Sequence, residues 1–360
     1  MNILFVTDLY PVEDGEKNTP KTLFNFVEGW RDESVEVSVL KPNFLFNSYI
    51  RKKPYYKTGQ YGNVFNVNYI MPFLGNVREK LGDFKVDEYD IVVAHMPSGI
   101  LFADKLGLPF IAGIHNSDIE ILSNPLYAFH FRKREIKALW HAKAIACRSY
   151  VIKNKLLKMF PQFEGKTFVA PSGIDEKYII NDFTHSLNKD KLKIVTCANL
   201  IKRKNVDKII HGIKDIEGVE LFVIGDGEDL IRLKSISSDN VVFLGRLPHK
   251  DVFNVMRNSD IFILPSVKET FGMVYLEAMA SGCITICSKY DGIDGIIENG
   301  KNGFITKPDE VSVREIIQKI KGMDISELNE IRENSLHTIR QFTEEACCES
   351  YLKNIKMYVK

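Results

Sequence analysis

The chain has 360 residues, of which 48 are Lys or Arg and 47 are Asp or Glu, so its formal net charge is +1. This length is long for one hydrophobic core and sufficient for two domains of ordinary size. The near-zero charge argues against nucleic acid as the main partner. No run of about 18 apolar residues is present that would cross a membrane as a helix. We therefore expect a globular protein of two domains.

The six cysteines stand at positions 147, 197, 283, 287, 347 and 348, and none of them forms a Cys-x-x-Cys pair. Because they lie mostly in apolar runs, we predict reduced core residues. The strand-like run Ile3-Leu4-Phe5-Val6 follows no charged leader. Together these features predict a cytoplasmic location. No His and Cys cluster has metal-ligand spacing, so we predict no metal site and no bound cofactor.

The first half of the chain alternates short β-rich runs with helical stretches. The predicted strands are Ile3–Thr7, Val35–Val39, Ile91–Ala94, Phe110–Ile114, Ala144–Cys147 and Phe168–Ala170. This alternation predicts a parallel sheet with helices on both faces. His95 and His115 each follow a predicted strand, where a histidine is either a structural residue or part of a site.

A basic stretch lies between residues 132 and 166, with a local excess of about eight positive charges. Its cations are Arg132, Lys133, Arg134, Lys137, Lys143, Arg148, Lys153, Lys155, Lys158 and Lys166. Apolar residues interrupt the stretch at Leu156, Leu157, Met159 and Phe160. Two interpretations remain open, a solvated surface above ordinary core residues or a surface that contacts an anionic membrane.

The second half repeats the alternation of strands and helices. Its predicted strands are Ile194–Ala198, Leu221–Ile224, Val241–Leu244, Ile261–Leu264, Thr285–Cys287 and Phe304–Thr306. We therefore predict a first domain over 1–175, a linker over 176–192, a second domain over 193–341 and a last segment over 342–360. Ligands of two such domains are expected outside the carboxyl ends of the strands, in the cleft between them.

Two glutamates separated by seven residues are the most informative pair in the sequence. Pro265 and Ser266 end a predicted strand and leave Glu269 on a loop. A helix that starts at Gly272 would direct unpaired backbone N–H groups and a positive dipole at an anion such as phosphate. Glu277, about 7–8 Å further along this helix, could accept hydrogen bonds from a ribose diol. The alternative is that both are ordinary solvated glutamates.

This segment resembles the donor-binding signature of the retaining glycosyltransferases of family 4, a Glu-x7-Glu motif on a GT-B fold. The residues that match the family are Pro265, Ser266, Glu269, Phe271, Gly272, Glu277, Ala278, Met279, Ala280 and Gly282. The resemblance implies an α/β fold of two Rossmann-like, doubly wound domains that face each other across a cleft. It also implies that residues 342–360 could form a helix that returns to the first domain. The donor contacts that it implies here are Glu269, Thr270, Phe271, Gly272, Met273, Val274 and Glu277.

The loop after the predicted strand Ile194–Ala198 carries three consecutive cations, which suits a diphosphate site or a solvated basic turn. It is similar to the family's Gly-Arg-Leu-x-x-x-Lys-Gly segment, whose Arg and Lys hold the donor diphosphate. Lys204 stands at the Lys position. Asn199 stands where Arg is usual, so one charge-assisted contact is missing unless Arg203 replaces it.

Further turns resemble family segments beside the nucleotide. Gly225 follows one predicted strand, and Arg246 and Leu247 follow another, where the family contacts the base through backbone groups. Gly15 stands in the family's flexible loop over the phosphates. Gly295 stands where Glu is common, so we predict no contact from residues 291–303.

The resemblance implies metal-independent transfer of a hexose with retention of configuration, in which His115, Lys204 and Glu269 are the catalytic residues. The donor is expected to be a UDP-sugar. The acceptor is expected to be a glycan or a lipid-linked molecule, in synthesis of a bacterial surface polysaccharide such as lipopolysaccharide or capsule. A membrane-bound basic stretch would favour a lipid-linked acceptor. Two alternatives remain open, a nucleotide-sugar epimerase and a non-catalytic nucleotide-sugar-binding protein.

Overall fold

The computed structural model describes residues 1–12, 21–31, 34–44, 56–69, 76–126 and 129–359. The chain divides into two compact units. The first unit comprises Met1–Arg148, Ile152–Pro171 and Cys347–Lys360, and the second comprises Ser149–Val151 and Ser172–Ala346.

In the first unit, eight strands of the described residues form one sheet in the order β3-β4-β2-β1-β5-β6-β7-β8. All neighbours are parallel except β3 and β4, which are antiparallel. Every residue of β5, β6 and β7 is buried, as in strands covered by helices on both faces. The strands are β1 Asn2–Val6, β2 Glu36–Phe44, β3 Gly59–Tyr61, β4 Val64–Tyr69, β5 Ile91–His95, β6 Phe110–Ile114, β7 Ala144–Cys147 and β8 Thr167–Val169.

The described part of the second unit contains a six-stranded parallel sheet in the order β11-β10-β9-β12-β13-β14. The chain proceeds from β9 towards one edge and then returns to β12 on the other side of β9. The gap between β9 and β12 is therefore the topological switch point, where open α/β sheets bind ligands. The strands are β9 Leu192–Cys197, β10 Val219–Ile224, β11 Val241–Gly245, β12 Ile261–Leu264, β13 Ile284–Ser288 and β14 Phe304–Thr306.

The α-helices of the described residues connect these strands or follow the second sheet. None of the described helices is both long and apolar enough to span a bilayer. The helices are Lys21–Trp30, Met96–Leu106, Asn116–Ser123, Phe129–His141, Tyr150–Met159, Val206–Ile213, Leu230–Ile236, His249–Arg257, Met273–Ala280, Glu310–Gly322, Ile325–Ile339 and Glu344–Lys356.

The prediction of two Rossmann-like α/β units is confirmed. All twelve predicted strands are present within the described residues, four with the predicted ends and eight with shifted ends. The structure adds the hairpin of β3 and β4, joined at Gly62 and Asn63, which we did not predict. Its first strand has only three residues, too few for a clear alternating pattern.

The predicted linker, residues 176–192, belongs to the second unit and is hydrogen-bonded to other parts of it. The Ile180 N–H donates to the Ala280 carbonyl at 3.0 Å, and His185 Nε2 lies 2.9 Å from Asp260 Oδ1. At the other end of the chain, helix Glu344–Lys356 belongs to the first unit from Cys347 onwards.

Candidate functional site

The loops after β9 and β12 meet at the switch point of the second sheet. The two strands are hydrogen-bonded neighbours and run in the same direction. The Asn205 side-chain amide donates to the Pro265 carbonyl at 2.8 Å, and the Val267 N–H donates to the Arg203 carbonyl at 2.9 Å. Asn205 has φ 54°, a left-handed conformation that asparagine tolerates. These contacts fix the cationic loop beside the glutamate loop.

The structure brings Lys204, Arg203 and Glu269 together. Glu269 Oε1 accepts from Lys204 Nζ, and it also accepts from Arg203 Nη1 at 2.7 Å. The side chains of Lys204 and Glu269 are each 12% exposed, whereas that of Arg203 is 42% exposed. Two cations around one carboxylate leave a local charge of about +1, which suits an anionic ligand. Arg203 is thus a second cation beside Lys204, and its replacement of the usual Arg at the Asn199 position stays a prediction.

Asp291 holds the Glu269 loop in place. Its carboxylate accepts backbone N–H groups from Lys268, from Glu269 at 2.7 Å and from Gly292 at 2.9 Å. Lys268 has φ 64°, a conformation that costs free energy in a side-chain-bearing residue. We predicted no contact from residues 291–303. That prediction concerned the donor and stays a prediction, whereas Asp291 acts within the protein by holding the backbone of Glu269.

The helix Met273–Ala280 begins at the site with no side-chain cap. Gly272 precedes it with φ 86°, and a Cβ there would lie 2.6 Å from the Tyr275 ring. Met273 and Val274 are half-buried, so their backbone N–H groups stand near the surface. The side chain of Phe271 is in the hydrophobic core, and only its backbone is therefore available to a ligand.

Glu277 lies on the helix Met273–Ala280 and is 17% exposed. Its Oε1 is 3.1 Å from His249 Nε2. The His249 ring packs edge-on against Tyr178 and Phe253, which stack on each other at 4.3 Å. His249 did not stand out in the sequence, because it is 28 positions away from Glu277 and belongs to no motif.

The other predicted donor residues are less closely tied to this cluster. Asn199 and Arg246 are exposed, and Leu247 packs partly against the core. Gly225 has φ 127°, and a Cβ there would lie 1.9 Å from the Ala198 carbonyl oxygen, so glycine is required for close approach of the two loops. Gly15 lies outside the described residues.

In the first unit, His115 follows β6 and caps the helix Asn116–Ser123. Its backbone N–H donates to Asp118 Oδ2 at 2.8 Å, and its side chain accepts the Asp118 N–H. Its Nε2 lies 3.0 Å from Nδ1 of the fully buried His95. Burial, reinforced by Arg148, lowers the pKa of His115 to about 3, so the ring is neutral at physiological pH.

Asp118 also lies close to Glu135, and both carboxyl groups are buried. Burial raises the pKa of Asp118 to about 7, and burial together with the Asp118 charge raises the pKa of Glu135 well above its usual value. Two carboxyl groups buried close together disfavour a second negative charge, so the pair retains a proton more readily than a solvated carboxyl group does. No pattern in the sequence indicated this pair.

The chain matches two family sequence profiles over consecutive parts. The profile of the Glycosyl transferases group 1 matches residues 179–335, and that of the Glycosyltransferase Family 4 matches residues 21–178. The chain is a glycosyltransferase. The switch-point cluster of this glycosyltransferase lies within the first profile and His115 within the second.

Two relatives show how far the sequence similarity extends. An uncharacterised glycosyltransferase of Methanocaldococcus jannaschii is 26% identical over 313 residues, which cover 81% of this enzyme and 84% of the relative. The N-acetyl-alpha-D-glucosaminyl L-malate synthase of Bacillus anthracis is 25% identical over 218 residues, covering 55% of this enzyme and 54% of the synthase.

Solved structures share the fold of the enzyme. Anabaena HepE in complex with UDP has a TM-score of 0.75 at 17% identity, covering 99% of the enzyme and 100% of HepE. The lipopolysaccharide outer core galactosyltransferase WaaB has a TM-score of 0.72 at 16% identity, covering 99% of each chain. The predicted GT-B fold is confirmed.

Proposed function

We propose that the enzyme transfers a hexose from a UDP-sugar to a glycan or lipid-linked acceptor, with retention of configuration and without a metal ion. The observation that carries this proposal is the cluster of Lys204, Arg203 and Glu269 at the switch point. The choice of uridine is supported by HepE, a protein of the same fold whose structure holds UDP. Retention rests on the resemblance of the Glu269 segment to retaining enzymes.

The diphosphate of the donor would bind Lys204, Arg203 and the N–H groups at the start of the helix Met273–Ala280. These groups would stabilise the negative charge that develops on the leaving diphosphate. Glu269 Oε1 accepts hydrogen bonds from both cations. Phosphate oxygens would compete with it for them, and the carboxylate could then accept hydrogen bonds from hydroxyl groups of the transferred sugar.

Glu277 would bind the ribose hydroxyl groups, with His249 holding its carboxylate. His115 would contact the reacting sugar or the bridging oxygen. Since burial keeps its ring neutral, it would act as a fixed dipole rather than as a cation.

The acceptor would belong to a surface glycan, and we propose that the enzyme reaches a lipid-linked acceptor through peripheral contact with an anionic membrane. The helix Phe129–His141 supports this, because Lys133, Lys137 and Trp140 are exposed at helical spacing and Trp140 is 54% exposed. A tryptophan beside lysines is typical of surfaces at lipid headgroups.

The structure corrects other parts of the basic-stretch hypothesis. Arg148 is buried, and Lys166 Nζ donates to three backbone carbonyls at 2.6–3.0 Å. Leu156 is fully buried, and Leu157, Met159 and Phe160 pack against the core. These residues are therefore not available to insert into a membrane.

The test compares Lys204→Ala and Glu269→Ala with Lys202→Ala, a variant of the exposed neighbouring cation. We expect each of the first two to reduce turnover about 100-fold or more, because each removes a group that acts on the transition state. Lys202→Ala should retain turnover. The measurement is UDP release from UDP-sugars with and without acceptor, in the presence and absence of EDTA.

Four outcomes would contradict the proposal in different ways. Full activity of Lys204→Ala would mean that the site is misassigned. A changed sugar configuration without acceptor would indicate an epimerase. Thermal stabilisation by UDP-sugars without turnover over a broad acceptor panel would indicate a non-catalytic binding protein. Loss of activity in EDTA would exclude metal independence.

A further inference from the structure

A line of hydrogen bonds in the first unit joins side chains from distant parts of the sequence. His115 Nε2 lies 3.0 Å from His95 Nδ1, and His95 Nε2 lies 3.1 Å from the Tyr351 hydroxyl. His95 ends β5, His115 follows β6, and Tyr351 lies on the helix Glu344–Lys356. The neighbouring parallel strands thus place the two histidines side by side at the carboxyl ends of the strands, and the helix Glu344–Lys356 adds the tyrosine.

A backbone group fixes the direction of this line. The Asp118 N–H can only donate, and the His115 side chain accepts from it. The nitrogen left for this contact is Nδ1, because Nε2 faces His95. The neutral His115 ring therefore carries its proton on Nε2 and donates it to His95 Nδ1. His95 then carries its own proton on Nε2 and donates it to Tyr351.

Packing holds each ring in this alignment. The Phe5 ring stacks on His95 with centroids 5.2 Å apart. Gly113 leaves room for the same ring, since a Cβ there would lie 2.2 Å from His95 Nδ1. The Tyr351 ring meets Trp30 edge-on at 4.9 Å. A change of rotamer would therefore require neighbouring residues to move.

The surroundings also disfavour a change of charge. Burial lowers the pKa of His95 and of His115, and the buried guanidinium of Arg148 acts in the same direction on both. Burial raises the pKa of Tyr351, which Arg148 opposes and Cys147 reinforces. The line is therefore neutral throughout the range in which histidine ordinarily titrates.

We infer that His95 and Tyr351 are positioning residues that hold His115 as a neutral imidazole with its proton on Nε2. Both ring nitrogens of His115 are engaged by the protein, so the ring supplies a fixed dipole and a shaped surface but neither a general acid nor a general base. The role of His115 at the reacting sugar rests on the proposed function. The tautomer of His115 does not depend on the proposed function.

The first test is a pair of two-bond ¹H–¹⁵N correlation spectra of the whole chain labelled with ¹⁵N-histidine, recorded at about pH 5 and pH 8. The two rings are assigned with His95→Gln and His115→Gln. We expect both to show the Nε2-protonated neutral pattern at both pH values. A Nδ1-protonated pattern, or titration of either ring in this range, would overturn the inference whether or not the protein transfers sugar.

The second test removes the last acceptor of the line with Tyr351→Phe, and Tyr358→Phe on the same C-terminal segment is its matched control. Without an acceptor for its Nε2–H, His95 is expected to populate the other tautomer and to release His115. We expect kcat to fall about 10-fold with little change in KM for the donor. The control should retain the wild-type spectrum and turnover.

A third variant separates positioning from folding. The amide of His95→Gln can accept from His115 and donate to Tyr351, whereas His95→Leu can do neither. We expect His95→Gln to retain most of the turnover and the His115 pattern, and His95→Leu to lose both. Equal behaviour of the two variants, or an unchanged His115 signal in Tyr351→Phe, would show that the line does not position His115.

Discussion

Asp291 acts on the site through the backbone of another residue. Its carboxylate accepts from Lys268, Glu269 and Gly292, and thereby holds the left-handed turn before Glu269. We expect Asp291→Ala to release this turn, because three N–H groups lose their acceptor at a cost of about 1–3 kcal/mol. The affinity for UDP should fall about 10-fold or more, as measured by isothermal titration calorimetry.

The matched control is Asp294→Ala, because the Asp294 carboxylate also accepts a backbone N–H, from Tyr290. Its UDP affinity should stay within about twofold of the wild type. Equal losses in the two variants would mean that Asp291 has no specific part in holding the site.

We expect Glu135 to make the free energy of unfolding depend on pH. The folded pKa values of Glu135 and Asp118 are raised, to about 7 for Asp118, so the folded state keeps protons that the unfolded chain releases above about pH 4. The free energy of unfolding should therefore fall as pH rises from about 5 to 7, by about 1.4 kcal/mol per pH unit for each retained proton.

Glu135→Gln removes one titrating group and supplies an amide donor to Asp118. We expect the variant to show a shallower fall of stability with pH and to be more stable than the wild type at about pH 8. Urea denaturation at several pH values measures both effects. Glu164→Gln, on the surface of the same unit, should leave the slope unchanged. Parallel curves for Glu135→Gln and wild type would contradict the prediction.

The start of the helix Met273–Ala280 depends on a glycine for two separable reasons. Gly272 has φ 86°, and a Cβ there would also meet the Tyr275 ring. That ring is not free to move, because the Tyr275 hydroxyl donates to the Leu264 carbonyl at 2.7 Å. Gly300 has a similar φ of 82° but open space around it.

We therefore expect Gly300→Ala to show only the conformational cost, about 1–2 kcal/mol. Gly272→Ala should be less stable by a further 1–3 kcal/mol or so, because the ring must shift. It should also bind UDP more weakly. Urea denaturation and calorimetry measure the two effects. If the two variants are equally stable, the Tyr275 ring shifts without a measurable cost in free energy.

The sequence predicts elements of the fold better than contacts between elements. Strands such as Ile261–Leu264 are recognisable because a strand buried on both faces is a continuous apolar run. The contact between Lys204 and Glu269 could also be predicted from the sequence, since each residue follows a predicted strand and lies in a segment that resembles the donor site of one family. By contrast, His249 reaches Glu277, and Tyr351 reaches His95, through tertiary packing that leaves no local pattern. The role of Gly15 stays a prediction.

At the scale of the whole molecule, membrane contact can be measured with the intact enzyme and vesicles that contain phosphatidylglycerol. We expect the double variant Lys133→Gln, Lys137→Gln to bind these vesicles about 30-fold more weakly, because each lysine near the surface contributes about 1 kcal/mol. Added salt should weaken wild-type binding as well.

The matched control is Lys214→Gln, Lys307→Gln, which changes the net charge equally at exposed positions of the second unit. It should bind as the wild type does. Identical losses in both double variants would indicate a non-specific charge effect, and no wild-type binding would exclude the proposed membrane contact.

The last helix has a consequence for the order of folding. The indole of Trp30 donates to the Cys348 carbonyl at 3.1 Å, across 318 positions of sequence. During synthesis the ribosome delivers all of Ser172–Ala346 before the residue that this indole binds. We therefore expect the later unit to reach its native packing first, while the earlier one stays incomplete until Cys348 has been synthesised.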